Sequence, residues 1–267
     1  MTSRPFGNAP LIEMIAELRW DLHPVTSVPG GGIDPFYEAT KAGMASALAA
    51  EVGGGWNPTI EEIVPLEIPR EFLAGQITTR YRKAAGDWPL VQLGPGICAI
   101  NMTSSYEGWD TFRPWLVHGV SALLKAHPVP SALKFKSLNL LAVDAFGPSH
   151  GYVDYQDFAT RLLNLGNILG SDYLAKFSSE PNQALVQSQT VFPLRSPEGA
   201  SGRISIAEGE RDKEKALLVQ TAIEHAKEFR PEADHLLEWF DSAHAVHREM
   251  FRAMLTSDLT TLLHTRT

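Results

Sequence analysis

The sequence predicts an α+β protein in which two βαβββα units join into one mainly antiparallel sheet covered by helices. Three observations lead there. A run of strand and helix patterns from about residue 11 to residue 126 is followed by a similar run from about residue 132 to the C-terminus. Each run closes on a long amphipathic helix opened by tryptophan, Trp109 and Trp115 in the first and Trp239 in the second. The two halves, residues 1–130 and 131–267, meet at Pro128–Pro130, a joint too short and stiff to act as a flexible tether. They are therefore expected to pack as one pseudo-two-fold domain.

The elements follow in order. Ile12, Met14, Ala16, Leu18 and Trp20 alternate with Glu13, Glu17 and Arg19, the period of a half-buried strand. Val28 to Gly32 breaks the chain, and Asp34-Pro35 reads as an N-cap and first helical residue. That helix carries Phe36, Tyr37, Met44 and Leu48 and stops at Gly53-Gly54-Gly55. Three strands are expected at about 60–68, 72–83 and 88–102, with turn chemistry at Gly86-Asp87 and Gly94-Pro95-Gly96. In the middle strand Leu73, Ile77, Thr79 and Tyr81 face one way and Gln76, Thr78, Arg80 and Arg82 the other. A helix from about Tyr106 to His127 presents Trp109, Phe112, Leu116, Val120, Leu123 and Leu124 on one stripe.

The second half opens with a strand from Leu133 to Phe146, followed by a short helix at about Tyr155 to Leu165 and an irregular stretch from Gly166 to Asn182. Strands at about 184–194, 202–208 and 215–226 come next, with the charged run Glu208 to Lys215 as a solvated hairpin loop. One helix from about Glu232 to His264 ends the chain.

Composition narrows the function classes. The formal net charge of −8, with 31 acidic against 23 basic residues, disfavours general nucleic-acid binding, because duplexes are held largely through phosphate neutralisation. A single cysteine, Cys98, excludes an internal disulfide and any multi-cysteine metal site, and Gly96 to Ile100 around it reads as a buried strand. No secretory pattern opens the chain and no apolar run reaches the ~18 residues of a membrane span, so a soluble, cytoplasmic protein without membrane contact is expected.

The best chemical candidate is Asp241-x-x-His244-x-x-His247 on the last helix, where neighbours three apart can share a proton or a metal ion. Across all three positions the side chains drift round the helix, and no HExxH pair accompanies them, so no metal or cofactor is assigned. The triple glycine before Asp34 lacks both the lysine of a phosphate loop and the GxGxxG spacing, and Asp34 would repel phosphate. No GxSxG elbow is present. Glu13, Glu17, Glu61 and Glu62 are expected to point to solvent. Trp88, Tyr106, Trp109, Phe112 and Trp115 fit either a ligand pocket or, at helical spacing, a core stripe.

Pro89-Leu90-Val91-Gln92-Leu93-Gly94-Pro95-Gly96, then Ala99-Ile100-Asn101 and Tyr106-x-Gly108-Trp109-x-x-Phe112, resemble a sporadically distributed family of bacterial and archaeal proteins. The resemblance extends to Pro10-Leu11-Ile12-Glu13, Leu18-Arg19-Trp20, Leu236-Leu237-Glu238-Trp239, Ala243-His244 and Phe251. It brings no catalytic residues. That family opens its second half with a Gly-Leu-Arg-Tyr-Asn-like strand, whereas this chain has Lys136-Ser137-Leu138-Asn139-Leu140 and lacks the arginine and tyrosine. Sporadic occurrence implies mobile accessory or defence genes.

Two readings result. The first is a non-catalytic binding module, for a protein partner encoded by a neighbouring gene or for a small ligand, of accessory, antitoxin or defence type. Its candidate contacts are Trp88, Gln92, Asn101, Tyr106 and Trp109, at the junction of the halves. The second is a metal-dependent hydrolase or nuclease on Asp241, His244 and His247, completed by a ligand from another element.

Overall fold

The structure is a computed structural model that describes residues 6–25, 31–65, 67–103, 106–165, 176 and 187–264. The expected irregular stretch at 166–182 falls outside these residues apart from Lys176, as does most of the glycine-rich break at 28–32. The fold is α+β. Its sheet strands are β1 (Leu11–Trp20), β4 (Thr59–Glu62), β5 (Thr79–Arg82), β6 (Leu90–Gly94), β7 (Ile97–Met102), β8 (Phe135–Phe146), β9 (Gln187–Pro193), β10 (Ala200–Arg211) and β11 (Glu214–His225). They form one nine-stranded sheet in the order β4-β5-β6-β7-β1-β8-β11-β10-β9, and every pairing is antiparallel. A separate two-residue ladder joins β2 (His23–Pro24) and β3 (Gly32–Ile33).

Five helices are described: α1 (Tyr37–Val52), α2 (Trp109–Ala126), α3 (Tyr155–Arg161), α4 (Ala233–Met254) and α5 (Ser257–His264). None is long and apolar enough to cross a membrane. They lie on one side of the sheet, because alternate strand residues there are apolar and buried. Met14, Ala16 and Leu18 of β1, Cys98 and Ile100 of β7, and Leu138, Leu140 and Ala142 of β8 pack against Phe112, Leu116, Val120 and Phe240. A second cluster joins Phe146, Leu217 and Val219 to Phe158, Met254, Leu259 and Leu263.

The periodicity of β1 and of the helix after Gly108 is realised as expected, and Cys98 is fully buried in β7. Several boundaries differ. The strand expected at 88–102 is a tight hairpin, β6 and β7, turning at Pro95-Gly96. Only Thr59–Glu62 and Thr79–Arg82 of the two preceding strands enter the sheet; Arg70–Phe72 is a 3-10 turn, and the intervening chain is held by Gly75 N–H to Pro95 O (2.8 Å) and Thr78 N–H to Leu93 O (3.0 Å).

The charged run 208–215 is mostly ladder: β10 and β11 pair as far as Arg211 and Glu214 around Asp212-Lys213, both at positive φ as a tight two-residue hairpin needs. The helix after Asp34 starts at Tyr37, and Asp34 accepts instead from the Trp20 indole N–H (2.9 Å) and the Phe36 N–H (3.0 Å). The last helix breaks at Leu255–Thr256. There Thr256 donates through its backbone N–H (3.2 Å) and hydroxyl (3.0 Å) to Leu162 O, and the Asn164 N–H takes Met254 O (2.7 Å). Tertiary partners at the end of α3 replace the helical bonds that periodicity alone would have continued.

Candidate functional site

Two polar assemblies contain the residues singled out by the sequence, one in the helical layer and one on the opposite sheet face. The first is a clasp between α2 and α4. Gly108, at φ 143°, lets the chain enter α2 so that Trp109 and Arg113, one turn apart, face α4 together. The Trp109 indole N–H donates to Asp241 Oδ1 (2.8 Å), and Arg113 grips the same carboxylate through Nε (2.8 Å to Oδ1) and Nη2 (2.8 Å to Oδ2). Bidentate pairing is the strong form of this contact. The Arg113 guanidinium holds the Asp241 carboxyl below its ordinary range, with the indole N–H adding to the effect.

His244 lies flat on the Trp109 ring, with centroids 4.2 Å apart and planes 6° from parallel, and His247 follows at 6.5 Å. Burial pushes both imidazoles down to about 4, with Arg248 reinforcing it at His244 and His244 at His247. Near neutral pH both rings are uncharged. Tyr106 and Trp109 complete the group by packing at the Phe112 ring, 6.3 and 5.6 Å away. Asp241 is saturated by Trp109 and Arg113, and among the described residues no group of three or more His, Cys, Asp or Glu side chains is placed to hold a metal ion.

The second assembly is on the face away from the helices. Arg80 Nε donates to Gln92 Oε1 (3.1 Å), Gln92 Nε2 to Asn101 Oδ1 (2.9 Å), and Asn101 Nδ2 to Glu13 Oε1 (2.8 Å). This relay crosses β5, β6, β7 and β1, with a cation at one end and a carboxylate at the other aligning the amides between them. Gln92 and Asn101 are buried. Arg80 and Gln92 of the relay also stand in a longer row of strict register partners, from which Asn101 and Glu13 lie one diagonal step away: Glu61, Arg80, Gln92, Ala99, Glu17, Asn139, Glu224, Ser201 and Pro193. At the usual strand spacing it extends about 38 Å. Its carboxylates are paired on the same face: Glu61 with Arg82, Glu17 with Arg19 (2.6 Å) and Glu224 with Arg203 (2.5 Å). Asn139 Oδ1, next to the centre of the row, is buried without a hydrogen-bond partner among the described residues.

The structure thus brings Gln92 to Asn101, and Trp109 to Asp241 and His244 with Tyr106 beside Phe112, but it keeps the two groups on opposite faces. Trp88 lies half-buried in the β5–β6 connection and belongs to neither. The four glutamates expected in solvent are all engaged: Glu13 by Asn101, Glu17 by Arg19, Glu61 by Arg82, and Glu62 by Lys41 (2.6 Å) and Thr79 (3.1 Å). Arginines supplied two of these partners, Arg19 and Arg82, and for Glu61 the alternation of Arg80 and Arg82 with the buried Thr79 and Tyr81 was the available signal.

Asp144 was also missed. It is the one carboxylate inside the apolar stretch Leu140 to Phe146, and it is 1% exposed, with Oδ2 unpartnered among the described residues. Burial pushes it up to about 7, and its field adds to burial in raising the Tyr106 phenol. In β8 it separates Ala142 of one apolar cluster from Phe146 of the other; Thr221 does the same in β11, between Ile223 and Val219, and so does His247 in α4, between Ala243 and Met254. A buried polar seam therefore divides the core.

No protein-family model, no curated protein and no solved structure matches this chain.

Proposed function

We propose that the protein is a non-catalytic binding module whose recognition surface is the sheet face opposite the described helices, over the β7–β1–β8 joint, where it takes a protein partner or a small ligand. The Arg80–Gln92–Asn101–Glu13 relay carries this reading. Amides buried on a sheet face gain little stability over apolar residues of the same shape, since each trades water for an equivalent bond. Each of these amides keeps one N–H and one lone pair beyond the relay bonds, a patterned set of donors and acceptors held rigid by charged ends. Asn139, with its unpartnered oxygen, extends the set across the joint between the halves.

We also propose that the halves, 1–130 and 131–267, descend from one duplicated βαβββα unit. Read outward from the β1–β8 joint, the strand order is β1-β7-β6-β5 on one side and β8-β11-β10-β9 on the other. In each half the opening strand pairs with the last strand of its own meander, and the closing helices α2 and α4 contact each other. The extra edge strand β4 is the departure.

The test is capture from the native host with the tagged full chain and with a Gln92→Leu, Asn101→Leu variant. A stoichiometric protein or a co-purifying small molecule retained by the first and lost by the second, at unchanged melting temperature, supports the proposal. Equal retention by both, or substrate turnover abolished by one point change elsewhere, sinks it. A captured toxin, nuclease or polymerase makes the module an antitoxin or defence accessory.

A further inference from the structure

The sheet has two edges, β4 and β9, and they are built differently. β4 is four residues long, lies between Pro58 and Pro65, and carries Glu61 and Glu62. Short length, proline and charge are the usual devices that keep a sheet edge from pairing with another chain. β9 has seven residues, Gln187-Ser188-Gln189-Thr190-Val191-Phe192-Pro193, and none is charged. Gln187, Gln189, Thr190 and Val191 are exposed, Val191 to 57%. Only the terminal Pro193 blunts this edge.

The ladder shows which backbone groups of β9 are spare. β9 pairs with β10 in a single register, from Gln187–Ala207 to Pro193–Ser201, and the Leu194 N–H continues it to Ala200 O (2.9 Å). Bonded pairs alternate along an antiparallel ladder, so Phe192, Thr190 and Ser188 bond to β10 as Leu194 does. Gln187, Gln189, Val191 and Pro193 therefore turn their backbone groups away from the sheet, and among the described residues no strand takes them. Pro193, which has no N–H, stands at one of these outward positions, where an edge strand tolerates it.

The best-matched occupant is the same strand. An uncharged edge gives a foreign strand no charge to be selected by, and a net charge of −8 makes two copies repel except where they present none. An antiparallel pair centred on Gln189 sets Gln189 opposite its counterpart and Gln187 opposite Val191. Every outward N–H and C=O of those residues then finds a partner, and Pro193 stays outside the bonded overlap. The strand behind keeps the match: Arg203 lies beside Val191 and Ala207 beside Gln187, so Arg203 looks across to Ala207 of the second copy and not to another arginine. Such a contact is self-complementary and closes at two chains.

We propose that the protein forms a two-fold dimer through β9, which pairs antiparallel with β9 of a second copy and continues the sheet across the joint. This edge is at the far end of the sheet from the Gln92–Asn101 relay and is independent of the sheet-face reading.

Analytical ultracentrifugation of the full chain is the test. An edge of this length buries less than the ~1,200 Å² of a standard interface, so a reversible dimer with micromolar dissociation is expected. Gln189→Pro removes an outward N–H that the chain's own ladder does not use, and Val191→Lys puts a charge on the edge. Each should weaken the dimer at least about tenfold with an unchanged circular dichroism spectrum; if Gln189→Pro disturbs the fold, Val191→Lys decides. Oxidation should cross-link Gln189→Cys, because facing bonded residues have Cα atoms about 5.5 Å apart, within disulfide reach, while Cys98 is fully buried. Gln187→Cys, whose counterpart stands about 13 Å away along the strand, should stay unlinked. The Gln92→Leu, Asn101→Leu variant should dimerise as the wild type does, so this proposal and the sheet-face reading fail separately. A wild type still monomeric at about 100 µM overturns the proposal. So does a dimer unmoved by both edge variants, cross-linking through Gln187→Cys instead of Gln189→Cys, or an edge that holds a host protein in place of a second copy.

Discussion

The clasp at Asp241 and the relay at Gln92–Asn101 use similar ingredients to opposite ends. In the clasp an arginine and an indole converge on one carboxylate from a second helix, and a neutral imidazole covers the ring. Both Asp241 oxygens are taken within the clasp. In the relay the bonds run in series along the sheet, so each amide spends half its capacity and keeps the rest. A closed polar contact joins elements, whereas an open one of the same chemistry can read a partner. That contrast, more than residue type, directs the functional argument to the sheet face and away from the histidines.

The comparison breaks most easily at Trp109. If the clasp is structural, Trp109→Ala should cost about 3–5 kcal/mol, since the indole is both packing surface and donor, and urea denaturation would show it. A loss below about 1 kcal/mol would mean that the α2–α4 contact is incidental.

The buried seam gives the next largest effects, and its members tilt stability in opposite senses with pH. Asp144 has a raised folded pKa, about 7, so between the ordinary carboxylate value and 7 the unfolded chain ionises while the folded chain keeps its proton. Stability therefore falls as pH rises through that window. Asp144→Asn, which cannot ionise, should gain on the wild type by an amount that grows by about 3 kcal/mol between pH 4 and pH 7.5. His247 has a lowered folded pKa, about 4, so the unfolded chain takes up the proton first as pH falls below 6.5. His247→Leu should remove about 2.5 kcal/mol of acid destabilisation at pH 4.5. Denaturation midpoints across pH 4–8 check both, and parallel profiles for variant and wild type would refute the buried, unpaired state of that group.

The smallest effect sharpens the contrast. The Arg113 and Asp241 side chains are 44% and 37% exposed, so Arg113→Ala should cost no more than about 1 kcal/mol, and less in high salt. A loss as large as that of Trp109→Ala would show that the ion pair, rather than the stacked ring, holds the helices together.

Much of the fold was legible because alternation and helical spacing are local. Met14, Ala16, Leu18 and Trp20 turn to the core in β1, and Phe112, Leu116, Val120 and Leu123 do so in α2, as their spacing requires. The element order also implied an antiparallel sheet, and one is observed. The same local signals misplaced whatever a distant partner decides. The last helix ends at Met254 because the end of α3 claims Met254 O and binds Thr256, and no periodicity within 232–264 carries that information.

For the sites the division is sharper. By itself the sequence determined which faces bear polar side chains, that Cys98 is buried, and that Gln92, Asn101, Trp109 and Asp241 stand out from their surroundings. Only the tertiary structure decided that Gln92 meets Asn101 on one face while Trp109 meets Asp241 on the other, or that Arg113 occupies a carboxylate 128 residues away. The physical reason lies in the register. Side-chain direction follows from backbone geometry residue by residue, whereas hydrogen-bond partners across a sheet depend on which strands lie side by side and with what offset. Here that offset set Gln92 opposite Ala99 and one diagonal step from Asn101, and so assembled the relay.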